Sequence, residues 1–167
     1  MIQHCPSCFD EIVSTIGPED AEILIIGSQP SDDDLEFHKP FQGRTGRIFR
    51  KELRSNADIS LSECRQTLLW FHAENKNPSC LDVSMQLLEQ EMRGKKYIIL
   101  VGAQAVKTYA GHGVDQVNGL EVTEYVAPEL LSPDAKVIAL TNPSIVFVRG
   151  IGELKFGLEQ IKKVMEV

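Results

Sequence analysis

The segment Ile25-Ile26-Gly27-Ser28-Gln29-Pro30 runs an apolar stretch straight into a Gly/Pro turn. That junction limits what the chain can fold into. Residues 22–27 have the length and composition of a strand buried on both faces. Such strands belong to open α/β sheets, which build ligand pockets at the carboxyl ends of their strands. The turn leads into Ser31 and the acidic run Asp32-Asp33-Asp34. Lys39-Pro40-Phe41-Gln42-Gly43-Arg44-Thr45-Gly46 follows as a Gly-punctuated opening to a basic helix.

Further strands are expected at 64–71, 97–101 and 136–140, where apolar runs lie between turn residues. Helical spacing predicts a helix over 44–56 with Ile48, Phe49 and Leu53 on its apolar side. Another opens at Ser79, read as an N-cap with Asp82 three residues on, and turns Val83, Leu87, Leu88 and Met92 to the core. A third starts at Gly102-Ala103-Gln104 and ends near Gly111. The last covers 152–167, with Leu154, Leu158, Ile161 and Met165 along one side. Residues 1–21 read as an N-terminal arm holding a short helix over 9–16, stopped by Gly17-Pro18. Residues 31–34 read as an acidic loop, and 113–126 as a small excursion with a hairpin turn at Asn118-Gly119. Strands alternating with helices imply a three-layer α/β/α sandwich around a four-stranded parallel sheet, in one domain spanning 1–167. The turns at Ser28-Gln29-Pro30, Trp70-Phe71-His72 and Asn142-Pro143-Ser144 would then share a cleft.

With 167 residues the chain can bury a proper core. No apolar run reaches the roughly 20 residues of a membrane span, and residues 1–5 lack the pattern of a signal peptide. A cytoplasmic protein of prokaryotic or phage origin is expected, acting as a monomer. Its cysteines are then thiols or metal ligands rather than a disulfide framework. The net charge of −7 argues against nonspecific nucleic-acid binding. The basic residues are nonetheless clustered. Arg44, Arg47, Lys51 and Arg54 follow helical spacing and could form one stripe. This stripe is either a solvated helix face or a phosphate-contacting edge beside a pocket.

In this order the motifs resemble the uracil-DNA glycosylase superfamily, especially its family 4-type branch. Gly27-Ser28-Gln29-Pro30-Ser31 stands where that branch has Gly-Glu-x-Pro-Gly. His38-Lys39-Pro40-Phe41-Gln42-Gly43-Arg44-Thr45-Gly46 stands where it has Gly-Arg-Pro-Phe-Val-Gly-Arg-Ala-Gly. Gln66 to Ala73 corresponds to its Thr-Asn-hydrophobic pair-Lys-Cys-Arg-Pro. Val101-Gly102-Ala103-Gln104-Ala105-Val106-Lys107 matches Leu-Gly-Ala-x-Ala-hydrophobic-Lys, and Asn142-Pro143-Ser144 matches the final His-Pro-Ser loop. The resemblance covers about residues 20–150 and implies the family's fold, with DNA as partner. Three departures stand out. The family Glu is Ser28, its base-reading Asn is Thr67, and its last-loop His is Asn142. An Asn before Pro-Ser also occurs in the mismatch-specific branch.

The implied activity is hydrolysis of the N-glycosidic bond of a flipped uracil-like or modified pyrimidine base, leaving an abasic site, as in base-excision repair. Modified phage DNA is a candidate substrate, with Asp32–Asp34 able to bond base hydroxyls. The alternatives are a DNA-binding module of the same fold without catalysis and, ranked last, a nucleotide-processing enzyme; the turn lacks the Gly-rich loop with Lys-Ser/Thr that this last reading needs. Extruding a base requires a pocket, and its developing anion requires positioned donors. Asn142 can donate its amide NH2 to the leaving base, helped by backbone N–H groups near Gln29. Gln29 and Asp32 are candidates for handling water and the sugar cation. Ser28, Phe41, Thr67 and His72 are assigned to the base pocket, with Phe41 as stacking platform. Arg44, Arg47, Lys51, Lys107, Ser144 and Arg149 are assigned to DNA contact. Plainer readings stay open for several of these: core for Phe41, a turn residue for Asn142, a solvated loop for Asp32. Many family 4-type proteins hold a 4Fe–4S cluster on four cysteines. Cys5, Cys8, Cys64 and Cys80 could supply a cluster or zinc, although the family's third cysteine falls on Phe71. Free thiols and no cofactor are the expectation.

Overall fold

A computed structural model of the chain describes residues 2–166. The Met1 end of the predicted arm and the Val167 end of the predicted last helix lie outside them. The apolar runs form four strands: β1 (Ile23–Gly27), β2 (Arg65–Leu68), β3 (Tyr97–Val101) and β4 (Lys136–Leu140). All pair in parallel, in the order β2-β1-β3-β4. Side-chain alternation along these strands makes two cores, one on each face of the sheet. Leu24, Ile26, Ile98, Leu100, Val137 and Ala139 point to one; Ile25, Ile99, Val101, Ile138 and Leu140 point to the other.

The helices cover both faces, as the three-layer expectation requires. They are α1 (Asp32–Phe37), α2 (Gly43–Glu52), α3 (Pro78–Met92), α4 (Ala103–Ala110), α5 (Val114–Val117), α6 (Val146–Arg149) and α7 (Gly152–Met165). Leu88 and Met92 of α3 join the first core with Ala105 and Val106 of α4. Phe49 of α2 joins the second with Leu154, Leu158 and Ile161 of α7. A π-turn, Leu53–Ala57, extends α2 and packs against α7. The chain leaves β1 to β2 on one side and returns to β3 on the other. The carboxyl ends of β1 and β3 therefore flank a switch point, the place where open sheets hold ligands.

Four local expectations are corrected. The acidic run is not a loop: it is the first turn of α1. Ser31 Oγ accepts from the Asp34 N–H (3.1 Å), and Asp34 Oδ2 accepts from the Ser31 N–H (3.2 Å). This reciprocal capping, with acids at the positive helix end, outweighs the cost of grouping three carboxylates. The arm holds no helix at 9–16. It runs extended beside β2, with Ile16 and Gln66 exchanging backbone hydrogen bonds and the Val13 N–H donating to the Phe71 carbonyl. Its β-branched residues suit that role, and the arm covers an edge that would otherwise stay unpaired. The cap of α3 is Asn77, whose Oδ1 accepts from the Ser79 N–H, with Pro78 in the first turn. Leu87 of that helix is exposed. Asn118-Gly119 makes no two-strand hairpin: Asn118 Oδ1 accepts from the Thr141 N–H (2.9 Å) and its Nδ2 donates to the Glu153 carbonyl (2.9 Å). That side chain ties the exit of β4 to the start of α7 and so holds the loop that carries Asn142.

Candidate active site

A cavity of about 160 Å³ opens at the carboxyl end of the sheet. The β1 turn from Gly27 to Ser31 forms one wall, Phe41 to Gly46 another, and the Asn142-Pro143-Ser144 loop a third. Leu68 and Val101 close it from β2 and β3. A wider depression among Glu22, Asp58, Tyr97 and Lys162 lies at the opposite, amino-terminal edge, away from the switch point.

Asn142 is exposed at the cavity and starts a short 3₁₀ turn, Pro143–Ile145. Its Oδ1 accepts from the Ser144 N–H (3.0 Å). The carbonyl side of the amide is thereby used locally, and the NH2 is the free end. Across from it, Gly102 has φ +92°, and a Cβ there would lie 2.7 Å from Ser28 Oγ and 3.3 Å from Asn142 Nδ2. A side chain at 102 would fill the space beside the amide.

Ser28 is buried and fully employed. Its hydroxyl donates to the Val101 carbonyl (2.9 Å) and accepts from the Ala105 N–H (3.0 Å). It pins the β1 turn to the start of α4 and satisfies a helix N-terminal donor. Gln29 lines the cavity, but its Nε2 donates to Glu74, with the Glu74 N–H reaching Oε1 at 3.4 Å. Gln104 Nε2 donates to the same carboxylate (3.2 Å). Phe41, with a positive φ of 57°, sets its ring in the cavity wall and packs on Phe49 at 5.1 Å between centroids.

Asp32 is exposed on α1 and is not among the lining residues; the acid in the wall is Asp34. Asp34 Oδ1 accepts from the Gln42 N–H at 2.7 Å. Burial raises its carboxyl above the ordinary carboxylate range, and the hydrogen bonds from Gln42 and Ser31 work against that rise. Its task is to clasp the turn before α1 to the segment before α2. Asp34→Ala would orphan these two N–H groups and is expected to cost about 2 kcal/mol in a thermal or denaturant melt.

Thr67 does not reach this cavity. Its Oγ1 hydrogen-bonds Thr15 Oγ1 (2.9 Å) beneath the arm, and Leu68 is the β2 residue in the wall. Strand alternation explains this, because adjacent residues point to opposite faces. Gln42, Thr45 and Leu68 were not singled out from the sequence. A period-2 reading of β2 against Gly27, its partner at Leu68, is the signal that could have found Leu68.

Among the assigned DNA contacts, Arg44, Arg47 and Lys51 are exposed on α2, whose first turn borders the cavity. The Arg44 guanidinium lies 4.5 Å from the centre of the Phe147 ring. Ser144 is in the wall. Arg149 is paired with Glu153 (3.2 Å) and Asp115 (3.9 Å), and Lys107 Nζ donates to the Gly111 carbonyl (3.3 Å).

The model of the Uracil DNA glycosylase superfamily matches residues 14–156, from the arm into the last helix. The chain belongs to the uracil-DNA glycosylase superfamily. No curated protein matches it significantly. In this uracil-DNA glycosylase superfamily fold the cavity at the β1/β3 switch point has the Phe41 ring and the Asn142-Pro143-Ser144 loop in its walls. No helix among the described residues is long and apolar enough to cross a membrane.

His72 is drawn away from the cavity. Its Nε2 lies 3.5 Å from Cys8 Sγ, and Cys5 Sγ lies 3.8 Å from Cys80 Sγ. The four ligand atoms of Cys5, Cys8, His72 and Cys80 are all within 4.8 Å of one another. This corrects the cysteine assignment: Cys64 is not in the group, and His72 takes the fourth place. Cys64 is buried in the other core, donates to the Ser60 carbonyl (3.4 Å), and burial pushes its thiol up to about 12. Such a thiol is inert at neutral pH.

Proposed function

We propose that the protein is a DNA N-glycosylase that hydrolyses the bond between deoxyribose and a flipped uracil-like or modified pyrimidine base, leaving an abasic site. The observation that carries this reading is the Asn142 amide. Ser144 holds its oxygen, and its NH2 is left free at a cavity walled by Phe41 in a member of this superfamily. The extruded base stacks on Phe41. As the glycosidic bond breaks, electrons move onto the base, and Asn142 Nδ2 donates to the oxygen where the charge collects. Backbone N–H groups near Gln29 assist. The sugar becomes cationic and is captured by water, whose O–H breaks as the C–O bond forms and whose proton passes to the departing base anion through solvent. Gln29 Oε1, weakly engaged at 3.4 Å, is the proposed acceptor that orients this water. Asp32 is the proposed source of negative potential for the cation. A neutral amide stabilises an anion less than a charged donor does. The enzyme is therefore expected to be slow or to favour bases that leave easily.

Base choice follows from the wall. With Thr67 turned under the arm and Leu68 in the wall, β2 offers the base an apolar contact instead of the donor-and-acceptor face of an amide. This supports a pocket that selects by shape and stacking and admits modified pyrimidines. DNA is proposed to lie along the exposed Arg44, Arg47 and Lys51 face of α2. Arg47→Ala is expected to weaken DNA binding about equally across sequences and to lower the salt slope by about one. Fluorescence anisotropy titrations at several salt concentrations measure both. An unchanged slope removes Arg47 from the interface.

The test of the activity is a panel of single- and double-stranded oligonucleotides carrying uracil, hydroxymethylated or glucosylated pyrimidines. Alkali-labile sites at the modified position are expected for at least one of them. If all strands stay intact while DNA is bound, the protein is a binding module of this fold.

A further inference from the structure

We propose that Cys5, Cys8, His72 and Cys80 hold a single tetrahedral zinc ion, and not the iron–sulfur cluster that the family 4-type resemblance implies. The spacing of the ligand atoms separates the two. A zinc ion about 2.3 Å from sulfur and about 2.0 Å from nitrogen sets tetrahedral sulfur pairs about 3.8 Å apart and a sulfur–nitrogen pair about 3.5 Å apart. The Cys5–Cys80 sulfurs are 3.8 Å apart, and Cys8 Sγ and His72 Nε2 are 3.5 Å apart. In a cubane each cysteine binds a different iron, which spreads the sulfurs to roughly 6 Å from one another. All four ligand atoms here lie within 4.8 Å, too close to surround a cubane.

The donor chemistry agrees. A standard 4Fe–4S cluster takes four thiolates, and the only other cysteine, Cys64, is buried in the opposite core. Three thiolates and one imidazole are a closed structural zinc set. The imidazole is held in the tautomer that zinc needs. Its Nδ1 lies 2.8 Å from the Ala73 carbonyl, so Nδ1 carries the proton and donates it there, leaving the Nε2 lone pair facing the sulfurs. Asn75 Nδ2 lies 3.7 Å from Cys80 Sγ and can donate to a thiolate.

The surrounding chain is shaped as a metal loop. The Cys5-Pro6-Ser7-Cys8 turn closes through the Phe9 N–H on the Cys5 carbonyl (2.8 Å) and the Cys5 N–H on the Asp10 carbonyl (2.8 Å). Phe9 takes a left-handed φ of 66° although its side chain is 76% exposed. That conformation closes the turn that carries Cys5 and Cys8, with the Phe9 N–H on the Cys5 carbonyl. The four residues come from the arm, the exit of β2 and the start of α3. A shared ion would staple the arm to the sheet, as structural zinc does by contributing folding free energy directly.

Metal analysis of the full chain, purified anaerobically from medium supplied with both iron and zinc, tests the assignment. About one zinc per chain is expected, with no acid-labile sulfide. Replacement by Co²⁺ should give a thiolate-to-cobalt charge-transfer band and the intense visible bands of a tetrahedral site. Cys64→Ser should keep full zinc. Cys8→Ala, at the partly exposed ligand, should cut zinc content at least about tenfold under dialysis against a mild chelator. Stoichiometric iron and sulfide, loss of zinc in Cys64→Ser, full retention in Cys8→Ala, or a wild-type chain that binds neither metal would each overturn the proposal.

Discussion

Asn142→Ala is expected to lower base release by roughly 10²–10³, while affinity for the same DNA changes by no more than about tenfold. The asymmetry follows from when the amide acts. In the proposed mechanism its NH2 faces a neutral carbonyl in the ground state and contributes an ordinary hydrogen bond. As the glycosidic bond lengthens, the same donor meets a growing negative charge. Only the interaction that strengthens along that path accelerates the reaction. The amide is also preset: Ser144 N–H holds Oδ1, Pro143 is buried, and Asn118 braces the strand exit behind it. Little reorganisation is then needed at the moment of reaction. Asn142→Asp tests the direction of the dipole, because it keeps the acceptor for Ser144 and replaces the donor with negative charge; it should be at least as slow as Asn142→Ala. Single-turnover rates set beside anisotropy binding curves separate the two effects. Equal losses in rate and affinity would show that Asn142 only helps to hold DNA.

Gly46→Ala is expected to lower stability by about 3 kcal/mol and to abolish base release in the protein that remains folded. Helix propensity alone argues the other way, since Ala is favoured over Gly by up to about 1 kcal/mol in a helix interior. The contact decides the sign. A Cβ on Gly46 would sit 1.9 Å from the Phe41 carbonyl oxygen and 2.4 Å from its carbonyl carbon. Backbone cannot give way as a flexible side chain would. Phe41 already holds a positive φ, and Asp34 accepts from the next N–H, at Gln42. Moving Phe41 therefore pulls its ring off Phe49 and out of the cavity wall. For a chain of this size about 3 kcal/mol corresponds to a fall in Tm of roughly 6–12 °C. Calorimetry reads the stability, and the base-release assay reads the pocket. A Gly46→Ala protein with wild-type Tm and activity would mean that the Phe41 backbone is free to shift.

Much of the fold was legible because it rests on short-range signals. The runs at 97–101 and 136–140 became β3 and β4 with the same bounds, since buried parallel strands are continuous apolar runs between turns. The apolar run 64–71 outlasts β2 because the chain turns after Leu68, where the Leu69 and Trp70 N–H groups still donate to the Gly27 and Ser28 carbonyls. The arm is not legible locally because its conformation is decided from outside: nothing in residues 9–16 announces that Gln66 and Phe71 will take up its backbone groups. The acidic run carries a readable signal, Ser31 with Asp34 three residues on, the pair that caps α1. At the site, motif order brought Phe41, Ser28 and Asn142 to one cavity. It could not place Thr67, whose face depends on strand alternation, or His72, which joins Cys5, Cys8 and Cys80 only through the fold.

Cleavage of the glycosidic bond is read at its source in the released base itself. Enzyme in excess over an oligonucleotide bearing one modified pyrimidine is quenched, and the small-molecule fraction is examined by mass spectrometry. Free base is expected to rise to about one equivalent per strand, matched by abasic DNA, with Asn142→Ala near background over the same interval. Oligonucleotides that remain bound but chemically intact throughout the uracil and modified-pyrimidine panel would contradict it.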